Sequence, residues 1–166
     1  MNKILVVSFF GEDQPGLVQD LAEITHELQG KWLQSKLSHL EGQLAGVLKI
    51  ELPEEQADSL IGKFQRKPEI DIKVSEPQGS TPVPEHCEDI KISAKDRPGL
   101  VNDITCFLNK QGVKVLNFEC QRMAAIGAAG NLFSALVAIE LPEGKSSEDL
   151  VAQLTMLDAE IVASVA

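Results

Sequence analysis

One eight-residue pattern occurs twice in this chain. Asp13-Gln14-Pro15-Gly16-Leu17-Val18-Gln19-Asp20 returns as Asp96-Arg97-Pro98-Gly99-Leu100-Val101-Asn102-Asp103, an offset of 83. A second landmark, Ile50-Glu51-Leu52-Pro53-Glu54, returns as Ile139-Glu140-Leu141-Pro142-Glu143, an offset of 89. Two landmarks in the same order mark a duplicated unit. The six extra residues of the second copy fall in the small-residue stretch from Ala124 to Gly130, which suits a longer hairpin tip. At 166 residues the chain then holds two units of about 80 residues each. Between them, Glu76 to Pro84 carries three prolines and a glycine, the composition of an extended linker. The units are expected at 1–76 and 87–166, with 77–86 as the Pro-rich linker.

Apolar periodicity reads the same way in both copies. Residues 3–10 form an apolar strand, and Pro15-Gly16 is expected to begin a helix with proline in its first turn. Leu17, Leu21, Ile24 and Leu28 form one helical stripe, which Gly30 is expected to end. Strands at about 31–40 and 43–52 meet at Glu41-Gly42, a tight turn. Pro53 is expected to open a second helix with Ala57, Leu60, Ile61 and Phe64 inward, and Ile70, Ile72 and Val74 alternate as a last strand. In the second copy Ile90 and Ile92 alternate with polar residues, and Leu100, Ile104 and Phe107 form a stripe. Strands follow at about 113–123 and 131–141. Ser146 to Asp149 resembles a capping box ahead of Leu150, Leu154 and Leu157, and Ile161, Val162 and Val165 close the unit. The order βαββαβ, twice, predicts an α+β chain of two ferredoxin-like units. Each is a four-stranded antiparallel sheet with two helices on one face. The bare sheet face and the sheet edges call for partners, either the other unit or a second chain in a homodimer.

Bulk chemistry excludes several classes of function. The formal charge is −10, from 25 acidic and 15 basic residues, and the basic ones are scattered. Direct DNA binding draws its affinity from Lys and Arg on phosphates, so it is not expected, and neither is binding to an acidic membrane. No apolar run reaches the roughly 18 residues of a membrane span, and residues 4–10 read as a strand and not a signal peptide. A cytoplasmic location is expected. Cys87, Cys106 and Cys120 are odd in number and lack CxxC spacing, which speaks against a disulfide framework or a zinc site. Neither metal nor cofactor is expected. His26 and His39 have no serine or carboxylate spaced to form a triad, so no catalytic residue is assigned. Cys106 and Cys120 are expected to be packed in the fold, and Trp32 to serve a core or an interface.

Chemistry is best supported at the repeated D-x-P-G-L-V turn. A helix start leaves backbone N–H groups without partners and carries partial positive charge. Gly16 and Gly99 lack a Cβ and would let a carboxylate approach that backbone closely. Asp13 and Asp96 could cap the helix or face the ammonium group of an α-amino acid. The plain alternative is that the motif is only a good turn and helix start.

These two segments, each following an apolar strand, resemble those of tandem ACT-domain proteins. The runs from Gly30 to Leu37 and from Gly42 to Gly46, with Trp32 the most distinctive residue, resemble the glycine cleavage system transcriptional repressor family. The resemblance implies a regulatory protein that senses an amino acid, glycine among the candidates, and acts through a partner transcription factor. Carried onto this chain, the ligand-contacting residues would be Asp13, Gln14, Pro15, Gly16 and Leu17 with Lys31, and Asp96, Arg97, Pro98, Gly99 and Leu100 with Lys114. Many relatives have asparagine where Lys31 and Lys114 stand, and lysine could meet a carboxylate as a point charge. Arg97 replaces Gln14, so the two loops need not bind equally. An alternative reading is a ligand-binding regulatory or docking subunit of a metabolic enzyme.

Overall fold

Leu5, Val7 and Phe9 are buried along one face of the first strand while their neighbours are more exposed, so that strand lays one side against a core. The computed structural model describes residues 1–79, 81–127 and 130–166, and resolves them into two units, Met1–Thr81 and Pro82–Ala166. The first runs β1 (Asn2–Glu12), α1 (Leu17–Glu27), β2 (Lys31–Leu40), β3 (Gln43–Pro53), α2 (Ala57–Gln65) and β4 (Ile70–Ser75). The second runs β5 (Cys87–Lys95), α3 (Leu100–Lys110), β6 (Lys114–Ala124), β7 (Asn131–Glu140), α4 (Ser147–Leu157) and β8 (Ile161–Val165). The sheets are ordered β2-β3-β1-β4 and β6-β7-β5-β8, with antiparallel neighbours throughout. Both units are therefore the ferredoxin-like fold that the sequence predicts.

The central strands carry each core. In the first unit Leu5 stands opposite Ile50 and Val7 opposite Leu48, and Leu17, Leu21, Leu60 and Phe64 of the helices close over them. In the second, Ile90 opposite Val137 and Ala94 opposite Phe133 meet Leu100, Ile104, Leu108, Leu150 and Leu154. The edge strands β2 and β6 are exposed almost throughout. Both shift register at matching places, between Trp32 and Gln34 and between Val115 and Asn117. An irregularity kept in both copies at the same offset is part of the repeated design.

Several local expectations change in the structure. Pro15 lies ahead of α1 and not in its first turn, because Gly16 is the N-cap residue with φ 84°. Gly30 does not supply the left-handed residue that ends α1; Gln29 does, at φ 59°. Gly30 is needed for space, since a Cβ there would stand 2.9 Å from Thr25 Cγ2 and 3.2 Å from Leu52 Cβ. Pro53 ends β3, and a 3-10 turn at Glu54–Gln56 leads into α2. Leu157, Val162 and Val165 are exposed and do not join the core, and Leu108 is buried beside Phe107, which packs partly buried against the core as expected. Cys106 and Cys120 are exposed, as is Cys87, which corrects the expectation that they are packed. Glu41 (φ 49°) and Gly42 (φ 76°) make the two-residue hairpin turn. Ala128 and Ala129, in the stretch expected to form the longer hairpin tip, lie outside the described residues.

Candidate functional site

The repeated turn connects the last residue of a central strand to the first helix of its unit. Its entrance is fixed by backbone: the Asp13 amide donates to the Gly42 carbonyl at 2.9 Å, and the Asp96 amide to that of Asn131 at 2.8 Å. Its exit is fixed by glycine, since Gly16 and Gly99 sit at φ 84° and 85°, a region that side chains disfavour. Among the described residues no side chain caps α1 or α3. In α1 the Leu17 amide bonds the Gln14 carbonyl and the Asp20 amide that of Gly16. The amides of Val18 and Gln19 find no acceptor among the described residues, and those of Val101 and Asn102 are alike. Each loop thus ends on N–H groups at the positive end of a helix dipole, which can receive an anion.

Neither loop aspartate caps its helix; both turn to the edge strand. Asp13 Oδ2 lies 3.4 Å from His39 Nε2 on β2, and Asp96 Oδ1 accepts from Arg122 Nε on β6 at 2.8 Å. His39 and Arg122 are themselves 83 residues apart, so the two pairs are equivalent. The sequence reading missed both partners. The signal that could have found them is the common spacing of 26 residues from aspartate to partner in each copy. Arg122 also stands over the Phe133 ring, 5.5 Å from its centroid.

Lys31 and Lys114 occupy the far end of the sheet. Lys31 stands opposite Glu51, which stands opposite Ile4, nine residues before Asp13 along β1. At the rise of a strand that is about 30 Å. Lys114, opposite Glu140 and level with Cys87, is nine residues from Asp96 by the same register. The two lysines pair with those glutamates at 3.1 and 3.5 Å. A single unit therefore does not bring its lysine and its Pro-Gly turn around one small molecule.

At Gln14 and Arg97 the loops part company. Arg97 is half-buried. It donates to Asp158 Oδ2 from Nε (3.2 Å) and Nη2 (2.8 Å), and to the Pro98 carbonyl from Nη1 (3.1 Å). Nη1 is also 2.9 Å from Asp103 Oδ2. The two carboxylates raise the guanidinium pKa. The Asp158 carboxyl is lowered in turn, first by the Glu160 amide and then by Arg97. Gln14 is exposed, and among the described residues its side chain has no hydrogen-bond partner.

Trp32 is half-buried at the start of β2, and its Nε1 donates to Thr25 Oγ1 at 3.1 Å. Thr25 is buried and donates to the Leu21 carbonyl, so the tryptophan locks β2 onto α1. Among the described residues no group of three or more His, Cys, Asp or Glu could hold a metal ion, and no helix is long and apolar enough to cross a membrane.

The ACT domain family model matches residues 3–74. The first unit is an ACT domain. The second follows its topology element for element and repeats its Pro-Gly turn, so the chain is a tandem of two ACT-fold units. Among solved structures, an unknown protein from Galdieria sulphuraria is similar over 99% of this chain and 98% of its own, with a TM-score of 0.86 and 19% identity. A candidate glycine cleavage system transcriptional repressor is similar over 100% of this chain and 97% of its own, with a TM-score of 0.71 and 12% identity. At these identities the likeness is one of fold. No curated protein matches the chain by sequence. ACT domains are regulatory ligand-binding domains, and in the first unit the turn from β1 to α1 is exposed from Asp13 to Gly16.

Proposed function

We propose that this chain is an amino-acid-sensing regulatory protein with no catalytic activity of its own. In this reading it controls glycine-cleavage genes through a partner transcription factor and does not touch DNA itself. It works in the cytoplasm, without cofactor, and pairs through its exposed sheet edges as a homodimer. The ligand carboxylate meets the uncapped amides beyond Gly16, and the corresponding candidate in the second unit lies beyond Gly99. The observation that carries the reading is the first turn, in which Asp13 to Gly16 are all exposed, the glycine is left-handed and the helix start is uncapped. The ACT match over residues 3–74 supports a sensor, and the scattered basic residues support action through a partner.

Isothermal titration of the full chain with glycine, then with each other proteinogenic amino acid, tests this. Binding at micromolar to millimolar concentration is expected for at least one. Gly16→Val should weaken it by about tenfold or more, since both the strained φ and the new Cβ obstruct the approach. Folded protein that takes up no amino acid overturns the proposal.

A further inference from the structure

We infer that duplication has divided the roles of the two turns: the first stays open to ligand, and the second is latched by its own Arg97, so that one chain takes one amino acid. The inference rests on the proposed reading that the turn holds a carboxylate, and it specifies which copy does so. In each unit the first turn of the first helix is tied to the segment after the second helix. The first unit makes that tie without its loop, by Lys67 Nζ to Asp20 Oδ2 at 2.6 Å. The second makes it through the loop itself, because Arg97 joins Asp103 of α3, Asp158 after α4 and the Pro98 carbonyl. One guanidinium thus already serves two carboxylates. A third, from a ligand, would enter against their charge and find four of the arginine's five N–H groups committed.

Space agrees with charge. A Cβ built on Gly16 meets nothing within 4 Å, whereas one on Gly99 meets Arg97 Nη1 at 4.0 Å, so the guanidinium stands beside the second glycine. The other restraint on the loop differs in the same sense. Asp96 is held at 2.8 Å by a permanently charged arginine anchored over Phe133, and Asp13 lies 3.4 Å from a histidine. Asp96 and Arg97 are half-buried, while Asp13 and Gln14 are exposed.

Hydrogen exchange on the full chain reads both halves of the inference. Without ligand, Arg97→Gln should speed exchange of the Asp103 amide, which donates to the Gly99 carbonyl, by roughly three- to tenfold, the scale of a partly exposed charged network, and leave the Asp20 amide as it was. Unchanged exchange at Asp103 overturns the latch, whatever the chain binds. With saturating glycine, or whichever amino acid gives heat in the titration, protection should rise at 16–20 only, with a stoichiometry of one per chain. Two equivalents, or protection at 99–103, overturns the division of roles and leaves the sensor reading standing. Absence of binding by every amino acid overturns the sensor reading itself.

Discussion

At Gly11 the backbone leaves no room for a side chain. A Cβ there would run into the Glu69 carbonyl and come within 2.9 Å of the Ile70 Cα, because β4 begins its antiparallel pairing with β1 at Ile70, opposite Gly11. Gly62, within α2, has nothing within 4 Å of its would-be Cβ. The same substitution should therefore have opposite signs at the two sites. Gly11→Ala is expected to destabilise by about 1–3 kcal/mol through forced backbone shifts. Gly62→Ala should stabilise by about 0.5–1 kcal/mol, as helix interiors prefer alanine. Urea unfolding measures both, and a destabilising Gly62→Ala would show that α2 is not the unobstructed helix described. The sequence displayed the candidate turn at this scale, because Pro-Gly after a strand is a local signal. It did not display what the charged neighbours do. Asp13 and Asp96 looked like caps or ligand contacts, yet their partners lie 26 residues away on another strand. Arg97 looked like a variant of Gln14, and only the fold brings Asp158 to it.

Elements were legible where burial follows a period, and less so where chain ends are set by space or long-range charge. The alternation of Ile70, Ile72 and Val74 maps onto β4, and the Ser146 cap forms as read, its Oγ accepting from the Asp149 amide at 3.1 Å. The end of α1 was misread because glycine usually marks a left-handed residue, whereas Gly30 answers to the Thr25 side chain against it. The boundary after α4 depends on charge. The folded pKa of Asp158 is lowered, so the ionised form favours the native state. Its contribution is complete above the unfolded value of about 3.9 and fades as pH falls through the lower folded value. Asp158→Asn should thus lower the thermal midpoint near neutral pH, with the gap to the parent closing below about pH 4. A gap that stays constant from neutral to acid pH would mean that the carboxylate charge does not hold α4 to the loop.

For the molecule as a whole, the duplication was the most readable fact, and it has an energetic counterpart. The two clusters of buried apolar residues share no member: one runs from Leu5 to Ile70, the other from Ile90 to Ile161. A cavity opened in one core removes packing from that core alone. Leu48 is fully buried on β3 opposite Val7, so Leu48→Ala should cost about 2–5 kcal/mol, the usual range for a core leucine. Because slowly exchanging amides report the opening of their own cooperative unit, those of β1 and β3 should lose protection on this substitution. Those of β5 and β7, which surround Val137 and Ile92, should keep theirs. Equal loss in both units would show that the two cores open as one, and that the repeat in the sequence is not a repeat in stability.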